Sequence, residues 1–290
     1  MSGPRFSVVV TTYNRPGQLV KCLEALALSN YPREAWELVV VDDGGDEPLE
    51  PLVAQFASRM DVRCFRQRNA GPGAGRNLGA RMARYEFLAF TDDDCTPTPD
   101  WLPILAESLA AQPDRLVGGR TINGLSGNIY SEASQWIVDI TYMHYNFGED
   151  SRGYFASNNM ALRAGLFAAA GGFNESLWAA EDRELCNRWT HSGYRLQYEP
   201  RAVVVHFHSL TLGEFLRQHF SYGTGAAQYH AICSRRGSGR LSHHLAFHAR
   251  LPVILARVGI SPGQFPLIAA WQAANAAGFF WQIATRRARS

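Results

Sequence analysis

Apolar positions along the first half of the chain fall into short β-branched runs separated by helical spacing. Phe6–Thr12 is the first such run, Trp36–Val41 the second, Val62–Arg66 the third and Phe87–Thr91 the fourth. Runs of this length bounded by polar residues predict buried strands. Between them, Leu19, Cys22, Leu23 and Leu26 recur at helical spacing, a second helix is expected near 49–60, and Arg76–Arg84 reads as a short third one. Alternation of this kind predicts a parallel, doubly wound α/β sheet.

Past the fourth strand the pattern changes. Trp101, Leu102, Leu105 and Leu109 mark a helix opened by Pro97–Asp100, and Leu116–Arg120 marks a strand. Residues 121–152 are rich in Gly, Ser, Asn and aromatics, and we expect a long, partly mobile insertion there. Regular structure resumes at Phe155–Leu162. Gly171-Gly172-Phe173-Asn174 forms a sharp turn, and Glu181-Asp182 opens a helix carrying Leu185, Cys186 and Trp189. Tyr194–Tyr198 and Ala202–His206 predict two short strands, and from Leu210 onward the pattern is helical. Within this tail Phe265–Ala284 is long enough to span a bilayer. It contains Gln272, Asn275 and Gln282, with Trp271 and Trp281 suited to an interface. A spanning helix, a helix lying on a membrane and an ordinary packing helix are the three readings of it.

Composition narrows the class. With 46% hydrophobic and 19% charged residues in 290, the chain has a core to bury. A formal net charge of +2 carries no overall signal for nucleic acid. The five cysteines are scattered and include no Cys-x-x-Cys pair, so neither a disulfide framework nor a zinc site is indicated. The first residues lack the charged and apolar regions of a signal peptide, so a cytoplasmic protein is expected.

The candidate chemistry sits where strands end. Phe87–Thr91 runs straight into Asp92-Asp93-Asp94. In an open α/β sheet, ligands bind beyond the carboxyl ends of the strands. Three adjacent carboxylates there repel one another, and a hard divalent cation carrying a diphosphate would relieve that; an acidic cap on the following helix is the plainer reading. Asp42-Asp43-Gly44-Gly45 ends the second strand and reads either as a turn or as an acceptor for a base or ribose. The Gly-rich Asn69–Gly75 lets backbone approach a phosphate at a helix N-terminus, and Arg76 adds a fork of donors. Glu181-Asp182 suits the positive end of a helix, and a carboxylate there can also serve as a general base. His206 and His208 alternate on a predicted strand and so share a face, as metal ligands or phosphate contacts.

Taken together these residues resemble the family 2 glycosyltransferases of the GT-A fold. The resemblance covers about residues 5–225. It rests on Thr12-Tyr13-Asn14-Arg15, Val41-Asp42-Asp43-Gly44, Asn69 to Asn77, Phe90-Thr-Asp92-Asp93-Asp94, Gly172-Phe173-Asn174-Glu175 and Glu181-Asp182. It implies a Rossmann-like, mostly parallel sheet flanked by helices over residues 1–210, with a helical extension over 211–290. Residues 1–120 would form the nucleotide-sugar half and 121–210 the acceptor and catalytic half. It further implies a nucleotide-diphosphate-sugar donor, a hydroxyl acceptor, Mn²⁺ or Mg²⁺, and an inverting displacement. By the same resemblance Asp182 is the catalytic base. Thr12, Tyr13, Asn14, Arg15, Asp43, Arg76, Asp92, Asp93 and Glu181 serve the nucleotide sugar. Asp94, Asp92 and His206 or His208 serve the metal. No nucleic-acid partner is expected, and residues 241–290 are the candidate peripheral contact with the inner face of a membrane.

The chain departs from the family pattern in three places. Gly45 stands where many members have Ser, Asp93 adds a third carboxylate, and Leu185-Cys186-Asn187-Arg188-Trp189 leaves the Gln-x-x-Arg-Trp signature of processive synthases incomplete. Transfer of one sugar, not polymerisation, is therefore expected. A sugar nucleotidyltransferase would open with a Gly-rich loop bearing Arg and Lys, which Thr11 to Arg15 lacks. A non-catalytic nucleotide-sugar-binding protein is the other alternative.

Overall fold

A computed structural model of the chain describes residues 3–146, 153–239, 241–258 and 262–287. The expected alternation opens it: β1 (Phe6–Thr12), α1 (Pro16–Leu26), β2 (Trp36–Asp42), α2 (Glu50–Ala54), β3 (Val62–Arg66), α3 (Pro72–Met82) and β4 (Phe87–Asp92). There follow β5 (Cys95–Pro97), α4 (Trp101–Ala111), β6 (Leu116–Asn123), α5 (Ile129–Asn146), β7 (Met160–Arg163), α6 (Ala164–Ala169), α7 (Glu181–His191) and β8 (Leu196–His206). Three helices close the chain: α8 (Leu212–Arg236), α9 (Leu241–Val258) and α10 (Phe265–Arg287).

The strands form one mixed sheet in the order β3-β2-β1-β4-β7-β6-β8-β5. The β3-β2-β1-β4 half is parallel, as the βαβ pattern requires. Its register matters for function. Thr12 lies opposite Asp42, and Thr11 opposite Asp92, so the polar ends of β1, β2 and β4 share one edge. Beyond β4, β7 pairs antiparallel with both β4 and β6, and β8 pairs parallel with β6. Phe6, Val8, Val10, Leu38 and Val40 alternate onto the face that packs on α1 and α4, with Leu19, Leu23, Trp101 and Leu105 fully buried among them.

Glu37 on β2 is an acid at zero exposure. Ser7 Oγ, Arg84 N and the Arg63 and Arg84 guanidinium groups all donate to its carboxylate, at 2.6–3.0 Å. Burial alone would push Glu37 up; the Ser7 hydroxyl, the Arg84 amide and Arg63 outweigh it and hold it below its usual range. This network joins β1, β2, β3 and the segment after α3.

Several expectations are corrected. Residues 121–146 are not a loose insertion: β6 continues to Asn123 and α5 occupies Ile129–Asn146. Ala133, Ile137 and Ile140 recur at helical spacing and pack with Phe215, Phe247 and Trp271, residues far away in sequence. Residues 147–152 of that expectation lie outside the described residues. The two strands expected over 194–206 are one, β8, whose pairing with β6 slips between Gly119 and Arg120. The helix near 49–60 shortens to α2. The three-residue β5 is too short for periodicity to register.

The chain groups into two compact units. One comprises Met1–Gly124, Phe155–Ser176 and Arg188–Phe207; the other comprises Leu125–Tyr154, Leu177–Asn187 and His208–Ser290. In the second, a capping box of Thr211 and Glu214 starts α8, and Gly237, at φ 72°, ends it. Helices α8 and α10 approach so closely that a methyl group on Gly223 would overlap the Asn275 carbonyl, and one on Gly278 the Phe220 carbonyl. Trp271 is buried, and Gln272 Oε1 lies 2.7 Å from His248 Nδ1, so this part of α10 packs inside the unit, while Phe280 and Trp281 are exposed. Among the described residues no helix is long and apolar enough to cross a membrane.

Candidate active site

The shared edge of β1, β2 and β4 gathers most of the predicted residues. Beyond β1 the chain turns at Asn14, whose φ of 54° places it in the left-handed region. Its side chain does not cap α1. Instead Asn14 Oδ1 accepts from Asp46 N at 2.7 Å and Nδ2 donates to Asp46 Oδ2 at 3.2 Å, clasping the β1 turn to the loop after β2. Tyr13 stands half-exposed beside it.

Asp43 donates its backbone N–H to Thr12 O at 2.9 Å. Its carboxylate accepts from Gln67 Nε2 at 2.6 Å, Ala70 N at 3.1 Å and Gly71 N at 3.0 Å. Asp43 therefore organises the Gly-rich turn that leads into α3. Arg76, on the first turns of α3, is buried, and its Nη2 donates to Asp92 Oδ1 at 2.7 Å. The same guanidinium lies 5.6 Å from the Phe173 ring centroid.

The three carboxylates have three different surroundings. Asp92 is the most open, with 29% of its side chain exposed, and pairs with Arg76. Asp93 turns inward, at 5%, and accepts from Arg15 Nη1 at 3.3 Å. Burial pushes its carboxyl up to about 6; the Thr12 hydroxyl and Arg15 oppose the shift, while Asp94 and Asp92 add to it. Asp94 accepts from the same Arg15 nitrogen at 3.1 Å and from His206 Nε2 at 3.2 Å.

His206 reaches Asp94 because β5 pairs antiparallel with β8, setting Cys95 opposite His206, and Phe207 N donates to Asp94 O at 2.8 Å. Burial would lower the imidazole, but the hydrogen bond and charge of Asp94 outweigh it and hold it raised. Asp94, Cys95 and His206 each offer a ligand atom within 4.8 Å of the others. Burial, with the Asp92 and Asp94 charges, pushes the Cys95 thiol well up, so the carboxylate oxygen and imidazole nitrogen are the ready donors. That donor set, with Asp92 on the same strand end, fits a hard divalent cation such as Mn²⁺ or Mg²⁺.

Not all predicted residues belong to this gathering. Strand β8 ends at His206, so His208 does not alternate with it on a strand. His208 lies in the second unit, where its carbonyl accepts from Ser131 Oγ. Glu181 and Asp182 also belong to the second unit, at the start of α7, after Ala180 at φ 66°. Glu181 is buried, and Asp182 Oδ1 accepts from Arg183 N at 2.6 Å.

Two residues were missed by sequence reasoning as site builders. Asn77 Oδ1 accepts from Phe173 N at 2.8 Å, and its Nδ2 donates to Phe173 O and Glu175 Oε1, both at 2.9 Å. It thereby ties α3 to the Gly172–Glu175 turn and sets Phe173 beside Arg76. Asn159, fully buried, accepts from Trp101 Nε1 and donates to the carbonyls of Arg120 and Ala202, at 2.9–3.0 Å, where the β6–β8 register slips. Asn77 stood inside the Asn69 to Asn77 stretch without a role of its own, and nothing in the local Ser157-Asn158-Asn159 run set Asn159 apart.

A mixed sheet with an acid-rich carboxyl edge, a Gly-rich helix start and a buried arginine on the strand-end aspartate is the arrangement expected of the GT-A glycosyltransferase class. The chain belongs to glycosyl transferase family 2, whose model matches residues 7–171. It is 26% identical over 227 residues to Glycosyltransferase AglE of Haloferax volcanii, covering 78% of this chain and 74% of that one. It is 31% identical over 196 residues to the pre-mycofactocin glycosyltransferase of Mycobacterium tuberculosis, covering 66% of this chain but only 41% of that protein. Among solved structures, the mannosyltransferase PcManGT of Pyrobaculum calidifontis, in complex with GDP-Man and Mn²⁺, superposes with a TM-score of 0.69 at 20% identity, over 98% of this chain and 84% of that one. S. aureus TarS 1-349 in complex with UDP-GlcNAc matches at 0.57 and 18% identity, over 93% and 79%. The fold is thus GT-A-like and the protein is a glycosyltransferase.

Proposed function

We propose that this glycosyltransferase moves one sugar from a nucleotide-diphosphate sugar to an acceptor hydroxyl, with inversion and with a divalent metal. The observation that carries the reading is the pairing at the β4 end. Asp92 meets the buried Arg76, and Asp94 meets His206 and Arg15, which sets both carboxylates at one strand end. The relatives' ligands, GDP-Man with Mn²⁺ in one neighbour and UDP-GlcNAc in another, support a donor of this kind.

In this reading Thr12, Tyr13, Asn14 and Arg15 receive the nucleotide together with Asp43, whose own hydrogen bonds hold the Gly-rich turn in place. Arg76 orients Asp92 toward the ribose. Asp94, with Asp92 and His206, holds the metal, which when bound neutralises the diphosphate and makes it a better leaving group. Asp93 is the most buried of the three carboxylates and shares Arg15 with Asp94, so the more open Asp92, with Asp94, is taken as the ligand pair. Asp182 takes the proton of the acceptor hydroxyl, with Glu181 beside it. The oxygen forms its bond to the anomeric carbon as the bond from that carbon to the diphosphate oxygen breaks, and the nucleoside diphosphate departs with the electron pair.

Transfer measured with a panel of nucleotide sugars and acceptors tests this. Asp182→Asn should lower kcat by about 10²–10⁴-fold, the span of general-base catalysis, with donor affinity kept. Chelation by EDTA should abolish both donor binding and turnover, and added Mn²⁺ or Mg²⁺ should restore them. Near-normal transfer by Asp182→Asn would remove the base assignment, and full activity in EDTA the metal.

A further inference from the structure

Arg183 follows Asp182 on the first turn of α7 and occupies a setting unusual for a guanidinium. Its Cζ lies 4.7 Å from the Tyr229 ring centroid, 4.9 Å from that of Tyr145 and 5.7 Å from that of Tyr154. Among the described residues no carboxylate comes within ion-pair distance of it; its partners are rings. Burial opposes its charge, yet the three tyrosines keep the guanidinium firmly protonated. Cation–π contacts stabilise such a charge but do not neutralise it.

Two imidazoles feel the same charge. Burial is the main reason His144 is held low, with the charges of Arg250 and Arg183 adding to it. His230 is pushed down to about 4 by burial, then by Arg183 and His248. Both imidazoles are thereby held neutral, and the charged groups acting here are Arg183 and Arg250, with Asp182 the acid next to Arg183 in sequence. A guanidinium walled by rings, with no carboxylate among the described residues at ion-pair distance, favours a ligand of the opposite sign. Arg183 keeps part of its surface exposed.

We propose that Arg183, held in the Tyr145–Tyr154–Tyr229 cage, is an anion subsite for the acceptor, and that the acceptor carries a phosphate. The guanidinium fork matches phosphate oxygens two at a time, and tyrosine hydroxyls are further donors. This rests on the reading of Asp182 as the base: the phosphate docks on Arg183 while the hydroxyl to be glycosylated meets Asp182. A free sugar phosphate and a lipid-linked phosphate share this chemistry.

The test uses the full chain with inorganic phosphate, followed by ³¹P line broadening and calorimetry. Phosphate should bind, and saturating nucleoside diphosphate with Mn²⁺ should not displace it. Arg183→Gln should weaken phosphate by about tenfold, the loss of one charge-assisted hydrogen-bond pair, with nucleoside diphosphate binding retained. Arg250→Gln, at an exposed position, should weaken it by about threefold through charge alone, and decides the matter if Arg183→Gln does not fold. Phosphate binding unchanged in the variants, or displaced by the nucleotide, would overturn the proposal. Flotation with phosphatidylcholine vesicles, with and without phosphatidic acid, separates the sources. Arg183-dependent capture by the acidic vesicles assigns a lipid-linked phosphate, and binding of soluble phosphate alone assigns a free one. Asp182→Asn should keep phosphate binding whatever it does to transfer, so failure of the base and failure of the anion subsite read out separately.

Discussion

Helix α3 carries Arg76 to Asp92 only because it lies unusually close to β1, and a single methyl group tests that. Gly79 sits one turn beyond Arg76. A Cβ there would overlap Val9 Cγ1 and stand 3.3 Å from both Val9 Cγ2 and Val41 Cγ2. Carbon atoms pack comfortably at about 3.5–4.0 Å, so Gly79→Ala forces α3 outward by an amount on the order of 1 Å. Overpacking of this kind costs about 1–3 kcal/mol, while Ala in a helix returns up to about 1 kcal/mol over Gly, leaving a net loss of about 1–2 kcal/mol. The same displacement would stretch the 2.7 Å Arg76–Asp92 contact beyond hydrogen-bond range. Urea unfolding reads the first effect as a midpoint lowered by about 0.5 M, for a slope of about 3 kcal/mol/M. Calorimetry reads the second as nucleotide-sugar affinity down about tenfold. Gly17→Ala is the matched control. It makes the same chemical change on α1 with nothing within 4 Å of the new Cβ, and should stabilise by about 0.4–1 kcal/mol. A Gly79→Ala protein as stable as its parent would refute the reasoning that close docking positions Arg76.

Two further outcomes follow from the same kind of argument. Glu37→Gln should cost about 2–3 kcal/mol at neutral pH, at the low end for a broken buried pair because Arg63 and Arg84 can turn to water. Since folding depresses the Glu37 carboxyl, its contribution is present above the unfolded value and fades as pH falls through the folded one. Acid titration of stability should therefore be shallower below about pH 4.5 in the variant than in the parent; identical slopes would exclude the network as the cause. Asn77→Ala should lower stability by about 2–3 kcal/mol, because Phe173 N and O lose their partner together. It should also weaken donor binding through Arg76. A loss under about 0.5 kcal/mol in thermal unfolding would show that the Gly172–Glu175 turn holds itself.

Local chemistry was enough to read much of the fold. β-branched runs ending in polar residues announce parallel strands, and Thr12, Asp42 and Asp92 share an edge because consecutive parallel strands align their carboxyl ends. Where pairing was antiparallel or very short, period and propensity carried too little signal. That is why β5 was not anticipated; β8 was split for a different reason, the Glu199-Pro200-Arg201 interruption, which the structure absorbs as a slip in its parallel pairing with β6. Helix α5 was hidden for another reason: the face it buries is completed by Phe215, Phe247 and Trp271, more than seventy residues onward.

The motif at Asp92-Asp93-Asp94 shows the same division. By itself the sequence determined that three carboxylates would stand at a strand end, since an apolar run must stop where it meets water. It could not rank them, because adjacent residues have near-identical intrinsic affinities for protons and metals. The tertiary structure decided that. β4 turns Asp93 inward to Arg15, Arg76 arrives on α3 to hold Asp92, and the β5–β8 ladder delivers His206 to Asp94 from more than a hundred residues away. Electrostatic roles depend on burial and on distances of a few ångströms, and only the packed chain sets those.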